Sequence, residues 1–343
     1  MKKVFLVIAG LGLTSSAILT NVKLGDEKTV HSALSYNELY ILGDSLSDTG
    51  SLVGAASEIL KEFQIQDQDF LLEEPFYQSR SFSNGPVAAE ILAKKLDLNL
   101  KPAWDFNFLD QKEFKQVGNN YAAGGAQTSE TSRAEGLLLN NFTIKKQVDA
   151  LVNQHTIQEN DLTFFEIGSN DLIQGLDLLL DYKEVVTNAI ANQKQALETL
   201  IEHGSKHILL MNTPDLGNVP NFKNTGQKQQ ASELSKQYNN LWLDMVSNLQ
   251  AKYPHYFKVF DLYQTFPKLL ANFASNGGNI DEGAVSYELN PDIIIEGKIT
   301  PKWEGSASPS TIDQYFFFDF VHPTASIHAT VGEMLYQTVN SAW

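Results

Sequence analysis

The stretch LYILGDSLSDTG, Leu39–Gly50, carries an apolar run straight into a cluster of Gly, Asp and Ser. Leu39 to Leu42 reads as a buried strand that ends at Gly43 and Asp44. Ser45 then stands just past the strand's carboxyl end, with Asp48 three residues further on. Open α/β sheets bind their ligands at that edge. Ser45 is therefore either a nucleophile candidate or one member of a capped turn, since Ser and Asp are ordinary in both settings.

Similar short apolar runs recur at LTFFEIG (162–168), HILLMN (207–212) and FKVFDL (257–262). Runs without polar alternation suit parallel strands covered on both faces. Helical patterns lie between them. In VVTNAIANQKQALETLIEHG (185–204), Val186, Ile190, Leu197 and Ile201 share one face, and Gly204 stands where a helix end wants positive φ. Leu234, Tyr238, Leu241, Met245 and Leu249 predict a second helix over about 223–252. This alternation predicts one α/β domain over 36–343, with a mostly parallel sheet between helical layers. Residues 54–82 and 276–312 are rich in Gly, Pro and Ser and read as long loops, of the kind that form lids or substrate walls.

The 343 residues are 43% apolar, enough for a sizeable core. With 25 basic against 41 acidic residues, the net charge of -16 excludes a nucleic-acid surface and electrostatic docking on anionic membranes. No cysteine is present, so covalent chemistry falls to oxygen or nitrogen. The opening MKKVFLVIAGLGLTSSAILTNV, residues 1–22, has two lysines, an apolar run and then small residues, the order of a secretory signal peptide. The run from Val4 to Leu13 falls short of the roughly 20 residues that span a bilayer. A secreted or periplasmic product is expected.

A serine hydroxyl needs a base, and a neutral imidazole needs a partner that fixes its tautomer. YFFFDFVHPT (315–324) supplies both, with Asp319 three residues before His322. The remaining histidines, His328 among them, have no such setting and read as solvated or capping side chains. Donors for a developing oxyanion are available in NNYAAGGAQT (119–128), through Gly124 or Gly125, and in FFEIGSNDL (164–172), through Asn170. Each also has a plain reading, the glycines as a tight turn and Asn170 or Asp171 as a helix cap. Two other classes compete: a metal-dependent phosphoesterase using Asp44, Asp48, Asp319 and His322 as ligands, and a lipid- or carbohydrate-binding protein without catalysis.

GDSLSDTG, NYAAGGA, IGSND and DFVHPT, in this order, resemble the four signature blocks of the GDSL hydrolases, also called SGNH hydrolases. RSFSNGPVAAEILA (80–93), NTPDLGNVP (212–220) and FKVFDLYQTF (257–266) are similar to the connecting regions of the branch holding secreted bacterial lipases, lysophospholipases and glycerophospholipid acyltransferases. The resemblance implies a three-layer α/β/α sandwich of flavodoxin-like type. It implies Ser45 as nucleophile, His322 as base and Asp319 as its orienting partner. The oxyanion hole would combine the Ser45 and Gly125 N–H groups with the Asn170 side chain, Gly124 being the alternative in the doublet. Phe318 stands where many relatives have Trp. The implied activity is that of a lysophospholipase A, phospholipase or lipase working through an acyl-enzyme, with transfer to another alcohol as an extension. Esters of water-soluble or carbohydrate acyl groups are the alternative. The expected partner is a small acyl ester or lipid, with transient contact to a lipid surface, no cofactor, no metal, no nucleic acid and no obligate protein partner.

Overall fold

Four strands form the central sheet: β1 (Leu39–Leu42), β2 (Leu162–Glu166), β3 (His207–Met211) and β4 (Phe257–Phe260). They are seen in a computed structural model that describes residues 35–78, 80–109, 112–288 and 296–343; the expected signal peptide, 1–22, lies outside these. All four strands are parallel and pair in chain order. Every residue of β1 and β2 is buried, as their unbroken apolar runs require. Along the other edge of β1, Ile41 N–H donates to the Asn119 carbonyl and Tyr121 N–H to the Ile41 carbonyl, both at 2.9 Å. The segment around Asn120 is thus an irregular parallel neighbour of β1. It lies between β1 and β2 in the chain but on the far side of β1, which produces the strand order of flavodoxin-like folds and a crevice where that order reverses. Ser45 follows β1 and Asn170 follows β2, one on each side of that crevice.

The helices are α1 (Ser51–Glu62), α2 (Ala88–Lys95), α3 (Ile144–Gln154), α4 (Ser169–Asp177), α5 (Tyr182–Glu202), α6 (Lys228–Lys252), α7 (Leu262–Ser275) and α8 (Ala325–Val339). α3, α5 and α6 pack side by side as one layer, while α2 and α8 pack on each other in the opposite one. α5 starts where Asp181 accepts the Lys183 and Glu184 N–H groups, buries Val186, Ala189, Leu197 and Leu200, and ends before Gly204 at φ 104°. The helix expected from 223 begins only at Lys228, because Thr225 turns the chain back, its N–H on Phe222 and its hydroxyl accepting from Gln227. Leu241 is 43% exposed, for Trp242 takes the core position. β4 stops at Phe260, two residues short of its apolar run, since Asp261 caps α7 by accepting the Gln264 N–H.

The two expected loops need correction. Residues 54–62 are helical: Val53, Ala55, Ile59 and Leu60 make a buried stripe, and a Cβ on Gly54 would press into the Trp104 ring. Beyond Glu62 the first segment meets the second. Leu71–Leu72 pairs in parallel with Lys298–Ile299, and Asn279–Gly283 pairs with Tyr315–Phe317. Phe70, Phe76, Phe82, Val285, Ile299 and Phe318 form a separate apolar cluster there. Neither segment shows periodicity because each is covered by the other rather than by the sheet.

Gly168, which caps α4 at φ 124°, has no room for a side chain, since a Cβ would run into the Tyr238 hydroxyl. That hydroxyl donates to the Ile167 carbonyl at 2.8 Å and accepts from Gln193 Nε2 at 2.6 Å. Gly168→Ala is expected to lower stability by about 2–4 kcal/mol through strain and overpacking. Urea unfolding followed by circular dichroism checks this, and an unchanged midpoint contradicts it.

Candidate active site

Ser45 sits in the turn that ends β1, and it is not among the residues with positive φ. The turn is held by Asp44 Oδ1, which accepts the Leu46 N–H at 3.0 Å. Behind it, the Gln147 side chain accepts from Gly43 N–H and donates to the Gly43 carbonyl, both at 2.8 Å. This is an unstrained loop rather than the sharp elbow of G-x-S-x-G hydrolases.

Asp48 joins three pieces of chain. Its Oδ1 accepts the Gly50 and Ser51 N–H groups at 2.7 Å, and its Oδ2 accepts Leu52 at 3.4 Å and Gly124 at 2.8 Å. The Ser45 turn, the start of α1 and the glycine doublet are thereby fixed to one carboxylate. The same bond spends the Gly124 N–H. Gly125, at φ 75°, keeps an N–H with no partner among the described residues, as does Ser45. Asn120 adds a second tie, donating from Nδ2 to the Ser47 carbonyl at 2.8 Å and the Thr49 hydroxyl at 2.9 Å. Across the crevice, Asn170 donates to the Ala126 carbonyl at 3.0 Å, and Asp171 accepts from the Thr128 N–H and hydroxyl, the latter at 2.6 Å. Asp171 therefore does not cap α4; it anchors the glycine loop to it.

The three residues singled out for nucleophile, base and partner come together. His322 Nε2 lies 2.7 Å from Ser45 Oγ, and His322 Nδ1 lies 2.6 Å from Asp319 Oδ2. Asp319 Oδ1 accepts the Val321 and His322 N–H groups, each at 2.8 Å, and Oδ2 also accepts the Tyr287 hydroxyl at 2.6 Å. The Phe82 ring stacks on the imidazole with centroids 5.3 Å apart. Asp48 is filled by four N–H groups, so it offers no lone pair to the metal arrangement weighed above. Among the described residues no three His, Asp or Glu side chains are grouped to hold an ion.

Burial pushes the Asp44, Asp48 and Asp171 carboxyls up to about 6 despite their N–H donors. Glu166, which accepts the Asp44 N–H, is held well above the carboxylate range by burial and by Asp44 itself. Asp319 is equally enclosed, but the adjacent His322 and the surrounding donors outweigh burial and leave it below its ordinary value.

Ser45, Asn170 and His322 open onto a cleft of about 850 Å³ counting its open mouth. Its walls are Phe164, Met211, Phe266, Phe317, Ile327 and Val331, drawn from β2, β3, α7 and α8 and from the strand before His322. Gly125 is on the adjoining loop and does not line it. His328 does line it, and is buried rather than solvated: its Nδ1 accepts the Ala88 N–H at 3.2 Å, and burial pushes it down to about 3, so the ring is neutral. Sequence reading missed the joints. Asp48 was readable, since an Asp three residues before Ser51 marks a helix start; Tyr287 and Phe82 were not, lying in segments without a pattern.

Residues 39–335 match the profile of a family described as GDSL-like Lipase/Acylhydrolase. The Phosphatidylcholine-sterol acyltransferase of Aeromonas hydrophila is 24% identical over 363 residues, covering 97% of this chain and 96% of that one. The Secreted effector protein SseJ of Salmonella typhimurium is 26% identical over 320 residues, covering 92% of this chain and 64% of that one. The Thermolabile hemolysin of Vibrio parahaemolyticus is 24% identical over 316 residues, covering 89% and 64%. The chain thus spans slightly less than two thirds of the length of the latter two relatives.

The Asp171 shift has a stability consequence. Its folded value, about 6, exceeds the ordinary carboxylate value, so the folded chain keeps a proton that the unfolded chain has released. The stabilisation is full at and below pH ~4 and is lost as pH rises towards 6. Asp171→Asn removes this dependence. From pH 4.5 to 6.5 the wild type is expected to lose about 2 kcal/mol relative to the variant, read from paired urea unfolding curves; parallel curves would contradict the assignment.

Proposed function

The chain belongs to the GDSL-like lipase/acylhydrolase family, and we propose that it is an exported serine ester hydrolase of glycerophospholipid acyl esters, lysophospholipids foremost. The observation that carries this reading is the cleft: the Ser45 and His322 side chains open into walls of Phe, Met, Ile and Val that reach the core. Each methylene buried there contributes about 0.8 kcal/mol, which an acetyl group would forgo. Two features support export and lipid as the source of substrate. The first is the order of Lys2, Lys3 and apolar residues at the amino end. The second is the exposed leucine run Leu178, Leu179 and Leu180, 42%, 77% and 41% exposed. α4 leads from Asn170 to this run, rising about 10 Å between Asn170 and Asp177 at 1.5 Å per residue. Asp177 and Asp181 flank it, which suits a zwitterionic surface better than an anionic one. No helix among the described residues is long and apolar enough to cross a membrane.

In the proposed mechanism His322 Nε2 takes the Ser45 proton as Oγ attacks the acyl carbonyl, and Asp319 stabilises the imidazolium. The oxyanion is met by the Ser45 and Gly125 N–H groups and by the Asn170 hydrogen not engaged with Ala126. His322 returns the proton to the leaving alcohol, and an ester of Ser45 remains. Water then releases the fatty acid. A second alcohol in place of water makes the protein an acyltransferase, an extension supported by the relative named for acyl transfer to a sterol.

Ser45→Ala is expected to cut hydrolysis at least ~10³-fold with the circular dichroism spectrum unchanged; full activity in that variant would end the reading. Leu269→Trp, on the cleft wall, is expected to lower kcat/KM for a long-chain lysophosphatidylcholine by about tenfold or more while sparing p-nitrophenyl acetate. Equal loss on both, or a wild-type preference for acetylated xylan, would assign the cleft another substrate. Acyl-labelled lysophosphatidylcholine with cholesterol decides transfer: labelled sterol ester supports it, and labelled fatty acid alone rejects it.

A further inference from the structure

Asp319 is enclosed by donors, and one of them comes from far outside its own turn. Tyr287, in the second insert, places its hydroxyl 2.6 Å from the same Oδ2 that His322 Nδ1 contacts. A carboxylate only accepts at neutral pH, so the phenol donates. The ring is itself locked, against Phe76 at 5.3 Å and Phe320 at 5.5 Å between centroids. Phe76 in turn packs on Phe318 and Phe82, and Phe82 stacks on His322. The two inserts thus close an aromatic shell over the acid–base pair and deliver one polar group into it.

We propose that Tyr287 is a positioning residue of this site: its hydroxyl fixes the Asp319 oxygen that meets His322 and shares the negative charge that the imidazole would otherwise receive whole. The inference rests on the proposed hydrolase reading. Among the described residues, the titratable groups that bear on His322 are Asp319 by direct contact, Asp44 from the Ser45 turn and His328 from α8. Among the described residues, the titratable group that Tyr287 faces is Asp319. Without the phenol, Asp319 has one donor fewer, its charge is concentrated on the bond to His322, and the pair takes up a proton at higher pH.

The test is the pH dependence of kcat/KM for Tyr287→Phe. The acid limb is expected to move to higher pH by about half a unit to one unit, as loss of a hydrogen bond to a charged group implies, with KM little changed. The low-field proton resonance of the His322–Asp319 bond is expected to shift in the same variant. A purely structural role would lower activity evenly at every pH, and that result overturns the proposal. A limb governed by Asp44 would stay in place and overturns it equally. Tyr287→Leu, which omits the hydroxyl with a different shape, should move the limb in the same direction; a limb that moves in neither variant rejects the assignment. Ser45→Ala in the same assay keeps the two questions apart, because its inactivity upholds the hydrolase reading whatever Tyr287 does.

Discussion

One carboxylate holds the site's frame. Asp48 is fully enclosed and accepts four backbone N–H groups, from the start of α1 and from the glycine doublet. The Ser45 turn on one side and the glycine loop on the other are separate in the chain, and Asn120 ties them through its side-chain amide. Asp48 does so with main-chain hydrogens, which cannot swing away as a lysine or arginine could. It also distinguishes the two glycines: the Gly124 N–H is bound to Asp48, whereas the Gly125 N–H has no partner among the described residues.

Much of the fold was legible because buried parallel strands carry their own signal. LYIL, LTFFE, HILLM and FKVF all became sheet strands, since residues covered on both faces are apolar without alternation. Their ends were less legible: Asp261 looks like a strand residue until its capping bond to Gln264 is seen. The Ser45, His322 and Asp319 contacts followed from chemistry that needs those three residue types together. What the sequence hid was anything defined by a partner distant in the chain. α1 looked like loop because Ser51, Ala55 and Ser57 interrupt the larger apolar residues of its buried face, and His328 looked solvated because nothing local announces the α2 backbone that covers it.

The inserts show the same limit from another side. Each is irregular alone, and together they build an apolar cluster beside the imidazole. A surface salt bridge from Lys298 to Glu73 also crosses between them, but exposed pairs of this kind contribute little. Their cohesion is mainly apolar, with Phe70 and Phe76 of the first packed in one cluster with Val285, Ile299 and Ile312 of the second. The polar groups of the site therefore meet apolar side chains on two sides, those lining the cleft and those of the insert cluster, and a histidine–carboxylate pair is less screened there than in open water.

Ser45 and His322 are 277 positions apart, yet they share a hydrogen bond. Until the turn carrying His322 has been made and has folded against the Ser45 turn, the hydroxyl stands without this partner. A chain emerging in order from the ribosome therefore lacks this contact until the segment carrying His322 has been made. For a member of an acylhydrolase family, order of manufacture is itself a safeguard.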